Sequence, residues 1–199
     1  MTNESNTDIH IMICDGSQGT ISETASEYAR SAGHAVNILT FPGNPSSHHQ
    51  GELYELDLDH LKEANRYILR ANKNMHRSWP KQQLSQDNAL RRDVWLTRWT
   101  HNLYVFGLFT QDASLLKINS DACWIAQMYV DRFLFDKEPM DLCHMYMFDM
   151  KSESWWQWRQ QWNMISKPVP PDGIYTIVSQ EKLTNAAKVA LKDLWPVSQ

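Results

Sequence analysis

A chain of 199 residues, 42% hydrophobic and with a formal net charge of -4, is long enough for one full-sized domain with a substantial core and too short for two large ones. It contains no basic block, which excludes non-specific nucleic-acid binding, because that needs clustered Lys and Arg to displace counterions. Cys14, Cys123 and Cys143 are odd in number, lack paired spacing and sit in apolar stretches, so they read as buried free thiols in a reducing compartment.

The opening MTNESNTD has neither the basic start nor the apolar run of a signal peptide, and no later apolar run has the length of a membrane span. A cytoplasmic protein without a membrane partner is expected, with residues 1–8 as a disordered tail. Ile9 to Cys14 is a compact apolar run closed by Asp15-Gly16-Ser17-Gln18-Gly19-Thr20, and Ile21 to Ala32 then has helical character with Gly33 as its stop. Ala35 to Phe41 is a second apolar run leading into Pro42-Gly43-Asn44-Pro45, which completes a βαβ unit. In the loop to Glu55, the adjacent His48 and His49 would face opposite ways on an extended segment, so an exposed loop is expected and no metal site. Helical spacing resumes over Leu56 to Met75, through Leu61, Ala64, Ile68 and Ala71, and a third helix is expected over Gln82 to Thr100.

Leu103 to Gly107 reads as a strand, and a short connection leads to the apolar run Leu115 to Ile118. Asn119-Ser120-Asp121 supplies three N-cap residues in a row. After them Ala122, Ile125, Ala126, Tyr129, Val130 and Phe133 fall on one helical face. Leu142 to Phe148 is a further strand closed by Asp149. Trp155, Trp156, Trp158 and Trp162, four of nine tryptophans, form a core, an interface or a stacking surface. Beyond a proline-rich joint at Pro168 to Gly173, Ile174 to Ser179 is the last strand and Leu183 to Trp195 the last helix, extending the same domain. This near-alternation predicts an α/β fold over residues 1–199: a Rossmann-like three-layer sandwich, its mostly parallel sheet covered by helices on both faces.

In such a sheet the turns that enter helices from the carboxyl ends of strands point N–H groups at whatever lies above the rim. Two turns qualify as a ligand cradle: Gly16, Ser17, Gln18, Gly19 and Thr20 after the first strand, and Ser120, Asp121 and Ala122 before the central helix. Asp15 and Asp149 end strands at that rim, where a carboxylate can accept from a ribose hydroxyl or simply hold a turn. Glu23 is one turn into its helix, placed either to complement the helix dipole or to position water for N-glycoside hydrolysis. Arg91, Arg92 and Arg98 are expected on a solvated basic helix face.

Taken in order, DGSQGT, RRDVW before LYVFG, INSDACWIAQMYVDR, MYMFD followed by WWQW, and IYTIVSQ resemble the SLOG superfamily. That Rossmann-like group includes the LOG-type nucleotide phosphoribohydrolases, the Smf-type DNA-processing proteins and ligand-sensing domains of antiviral systems. The helix match runs through Trp124, Ala126, Gln127, Met128, Asp131 and Arg132. The resemblance implies a nucleotide-derived small molecule at the strand ends, an ADP-ribose-type signal among the candidates, with Arg92 as an anion contact, a homodimer and no cofactor. Several polar positions depart from the pattern: the glycine-rich phosphate turn has become Ser120-Asp121-Ala122, His101 stands where an acid is expected, and Ser179-Gln180 replaces a small residue followed by arginine. Those departures favour a re-purposed binding site over an enzyme. The alternatives are a nucleotide N-glycosidase using Glu23 and Arg92, and an interaction module with a degenerate pocket.

Overall fold

Alternate side chains of the central strands leave the sheet in opposite directions, and both sets are apolar. In the strand Asn102–Gly107 (β4), Leu103 and Val105 enter one core and Tyr104 and Phe106 the other, the pattern of a strand covered on both faces. The computed structural model describes residues 9–44, 51–77, 79–80, 83–110, 116–118, 122–179 and 183–195. The expectations for residues 1–8, His48, His49, Ser120 and Asp121 lie outside these.

Among the described residues, the chain runs β1 (Ile11–Cys14), α1 (Ile21–Ser31), β2 (Ala35–Thr40), β3 (Glu52–Glu55), α2 (Leu58–Met75), α3 (Leu84–Arg98), β4, α4 (Ala122–Phe135), β5 (His144–Asp149), β6 (Ser154–Trp158), β7 (Trp162–Ile165), β8 (Ile174–Ser179) and α5 (Asn185–Leu194). One eight-stranded sheet in the order β3-β2-β1-β8-β4-β5-β6-β7 joins them, parallel from β3 through β5 and antiparallel at β6 and β7. Helices α1 and α5 cover one face, and α2, α3 and α4 the other. The fold is the expected α/β, Rossmann-like sandwich.

Three local features differ from the sequence expectation. Glu52–Glu55 pairs with β2 as an edge strand inside the expected loop; all four residues are exposed, so no burial pattern marks it. Of the Leu115 to Ile118 run the described residues 116–118 contribute an isolated antiparallel bridge, Ile118 to Phe109, and no longer strand. Leu116 and Ile118 are apolar because they plug the core beneath α4, both wholly buried. Finally, the tryptophan segment is the β6–β7 hairpin. Trp155 packs into the core under α1 and α5 and Trp158 into the opposite one, so burial on both sides erases the alternation by which a half-exposed strand is read.

Helix α4 is buried all round from Ala122 to Phe133, the mark of a helix inside a core. Its polar residues are therefore enclosed. Arg132 donates from Nη1 to the carbonyls of Thr97 (2.5 Å) and Thr100 (2.7 Å) and pairs through Nη2 with Glu138 (2.8 Å), closing the open carbonyl end of α3. Asp131 accepts from Gln127 Nε2 at 2.8 Å, but its Oδ2 is buried without a partner among the described residues. Burial pushes the Asp131 carboxyl up to about 6, against the opposing pull of the Gln127 bond.

A carboxyl raised in the folded state costs stability once ionised: the cost is absent below the ordinary carboxylate range, grows as pH rises towards 6 and is constant above it. Asp131→Asn is accordingly expected to stabilise the protein by about 2 kcal/mol at pH 7, roughly 5 °C in Tm, and to lose that advantage near pH 4. Paired thermal melts at the two pH values check this.

Candidate functional site

The chain winds outward from β1 through β2 to β3 on one side of the sheet and from β4 to β5 on the other, with β8 inserted between β1 and β4. A reversal of this kind leaves a crevice at the carboxyl ends of the strands, where α/β sheets bind ligands. A crevice of about 270 Å³ opens there, bounded by Asp15 after β1, Ser22 of α1, Ser179 at the end of β8, the α3 face Gln86-Ala89-Arg92-Asp93-Leu96, and Ala122, Trp124 and Ile125 at the start of α4. The α3 positions recur at three and four residues, so one helical face forms a wall.

Arg92 is the anchor of that wall. Its side chain is only 8% exposed; Nη2 and Nε donate to Asp93 Oδ1 at 2.7 and 3.0 Å, while Nη2 and Nη1 reach Asp15 Oδ2 and the Asp15 carbonyl, both at 3.4 Å. Burial works against the charge on Arg92, but the carboxylates of Asp93 and Asp15 outweigh it and hold the guanidinium above its usual range. The carboxylates of Asp15 and Asp93 thus flank one guanidinium. Arg92 is therefore no part of a solvated basic face. Arg91 bonds Asn65 at 2.7 Å and Asn88 at 2.8 Å, and Arg98 pairs with Asp136 at 2.7 Å, so all three arginines have protein partners.

The first turn is shaped from within. Gly16 and Gly19 have φ of 68° and 66°, and a Cβ on Gly16 would stand 2.9 Å from Ile38 Cγ2, so glycine is required at Gly16 on two counts. Asp15 Oδ1 accepts from the Ser17 N–H at 3.1 Å, and its Oδ2 from the Ser17 hydroxyl. Thr20 Oγ1 caps α1 by accepting from Glu23 N at 3.3 Å, while Glu23 Oε2 reaches back to the Gly19 N–H at 2.7 Å. This reciprocal pair is a variant of the capping box, with the glutamate bonding one residue before the N-cap.

Sequence-selected residues thus fall into three groups. Asp15, Arg92 and Ala122 share the crevice. Gly16, Ser17, Gln18 and Glu23 line a neighbouring groove of about 320 Å³ that runs along α1 towards Arg30, with Ser22 as the wall common to both; Gly19 and Thr20 hold the turn outside both linings. Asp149 is apart from them. Its Oδ1 accepts from Phe109 N and Lys151 N, and its Oδ2 from Ser152 N at 3.1 Å and Ser152 Oγ at 2.5 Å, so it fastens the β5–β6 turn.

None of Trp155, Trp156, Trp158 and Trp162 lines the crevice; Trp162 Nε1 donates to the Leu116 carbonyl at 2.8 Å and Trp156 packs edge-on against Phe109. The aromatic residue that does line it is Trp124, wholly buried and with an indole N–H that has no hydrogen-bond partner among the described residues.

Sequence reasoning passed over Asp93, Ser179 and the lining role of Trp124. Asp93 was visible in RRDVW as the next polar residue beside Arg92, seven places from Gln86, a helical face that an Arg-centred reading leaves incomplete. Among the described residues no group of three or more His, Cys, Asp and Glu side chains could hold a metal ion, and no helix is long and apolar enough to cross a membrane. No protein-family model, curated protein or solved structure matches the chain.

Removing the guanidinium takes away the cation that the carboxylates of Asp15 and Asp93 share. Arg92→Met is expected to destabilise the protein by about 3 kcal/mol, whereas Arg91→Met, which breaks bonds to neutral amides at the surface, stays within about 1 kcal/mol. Urea unfolding of both variants measures the contrast.

Proposed function

We propose that the protein binds a nucleotide-derived small molecule in the crevice at the carboxyl ends of β1 and β8, as a sensor or sequestering protein and not as a hydrolase. The observation that carries this reading is the crevice at the strand-order reversal, with the Asp15–Arg92–Asp93 cluster fixing its wall. Trp124 supports it, because a buried donor without a partner among the described residues, in the lining of a cavity, is the kind of group a ligand acceptor would satisfy. In this reading the chain is a SLOG-like protein of the cytoplasm acting as a homodimer, and an ADP-ribose-type signal is one ligand class that the resemblance supplies.

The hydrolase alternative asks Glu23 and Arg92 to act on one glycosidic bond. Glu23 faces the α1 groove and is bonded to the Gly19 amide, while Arg92 faces the crevice and is saturated by two carboxylates. That separation favours binding without turnover.

Thermal shift and product chromatography on the same samples, with nucleosides, AMP, NAD and cyclic ADP-ribose isomers, test the reading. Stabilisation of about 3 kcal/mol at a hundredfold excess of ligand over Kd is expected, with no free base released. Ala89→Phe, which adds bulk to the half-buried α3 wall, should abolish it. A base that accumulates catalytically and disappears in Glu23→Ala would overturn the proposal.

A further inference from the structure

The sheet ends in two unlike edges. At one, β3 carries a glutamate at each end, Glu52 and Glu55, and charge on an edge strand is a common guard against pairing with another chain. At the other, β7 reads Trp162-Asn163-Met164-Ile165, without charge or proline and with Met164 67% exposed. Among the described residues no strand lies beyond it.

The hairpin fixes which backbone groups of β7 are open. Arg159 N–H donates to the Gln161 carbonyl at 2.9 Å across the tip, so the opposed residues Arg159 and Gln161 form a pair of the hydrogen-bonded kind. Such pairs alternate with non-bonded ones along an antiparallel ladder. Gln157 with Asn163 and Trp155 with Ile165 are then bonded pairs, while Trp162 and Met164 turn their N–H and C=O groups away from β6. A strand added to this edge bonds to those two residues.

We infer that β7 pairs antiparallel with β7 of a second copy of this chain, with the two-fold axis at Met164, so that two sheets join into one. This gives the homodimer proposed above an interface and does not depend on what the crevice binds. Charge selects the register. Two registers engage both Trp162 and Met164 while avoiding the hairpin tip and Pro168, which lacks an N–H. With the axis at Asn163, Arg159 would face the second copy's Lys167; with the axis at Met164, Met164 faces its equivalent, Asn163 faces Ile165 and Gln161 faces Lys167. Like charges set opposite each other destabilise a strand pair, and only the second register avoids them. The contact extends past the backbone: on the α5 face a groove of about 510 Å³ lies beside β7, lined by Phe148, Trp155 and Ile165 and by Val189, itself 63% exposed.

Sedimentation velocity of the full chain across a concentration series tests the inference, and wild type is expected to form a dimer. Met164→Lys and Met164→Glu each set two like charges against each other on the axis, so each should weaken the dimer at least about tenfold. Because the Met164 side chain is exposed, neither substitution disturbs the core of the monomer. An equimolar mixture of the two variants should associate at least as tightly as wild type, which a variant impaired only in folding would not do.

A wild-type chain that stays monomeric up to ~1 mM, where even a millimolar Kd would show, overturns the pairing and the homodimer together, and leaves the crevice to its own titration. A dimer indifferent to both substitutions, or a mixture no tighter than its components, overturns the β7 pairing alone.

Discussion

A buried guanidinium ties the parts of this molecule that meet at the sheet rim. Arg92 projects from the middle of α3 and reaches across to the residue that follows β1, bonding both the side chain and the carbonyl of Asp15 while its neighbour Asp93 balances it from the same helix. Charges removed from water are tolerated only when paired and hydrogen-bonded. Helix α3 therefore cannot slide or rotate against β1 without stranding a charge, and the position of one crevice wall is set by that constraint. Asp15 passes the constraint on: the carboxylate that receives Arg92 also receives Ser17, which fixes the course of the turn into α1.

The opposite wall is held by apolar packing. Helix α4 enters the core on every face from Ala122 to Phe133, with Leu116 and Ile118 beneath it, and Arg132 anchors its far end to the carbonyls that terminate α3. Helices α3 and α4 are thereby coupled at one end by a charged side chain and along their length by the core. The space left between them at the other end is the crevice. Its dimensions follow from packing that does not depend on a ligand, which is the condition for a largely pre-formed site.

The layered α/β architecture was legible because its strands and helices carry their periodicity openly: the Ile21 to Ala32 helix, the Leu103 to Gly107 strand and the Ile174 to Ser179 strand are found within a residue or two of their expected limits. Legibility failed where burial and secondary structure part company. The exposed edge strand at Glu52–Glu55 has no apolar face to read, and the Trp155 to Trp162 hairpin is apolar on both sides. Leu116 and Ile118 form a core plug, which has the same composition as a buried strand.

At the site, the reading succeeded for groups whose position follows from topology, Asp15 after β1 and Ala122 at the head of α4. It was incomplete for those whose role depends on pairing. Nothing in a linear pattern says that Arg92 is shared by two carboxylates, or that Glu23 turns back to its own Gly19 amide; these are decisions of three-dimensional charge balance.

That balance is the centre of the account: a rim whose cation and whose Ser17 and Gly19 amides are bonded internally, beside a crevice with room for a small polar ligand. Nuclear magnetic resonance of the ¹⁵N-labelled protein titrated with adenosine tests it most directly, by following the Arg92 Nε, the Trp124 indole N–H and the Gly19 amide together. The account predicts saturable shifts at Arg92 and Trp124 with the Gly19 amide little changed, because Glu23 stays on it. Shifts centred on Gly19 and the α1 groove, with Arg92 and Trp124 unmoved, would contradict it.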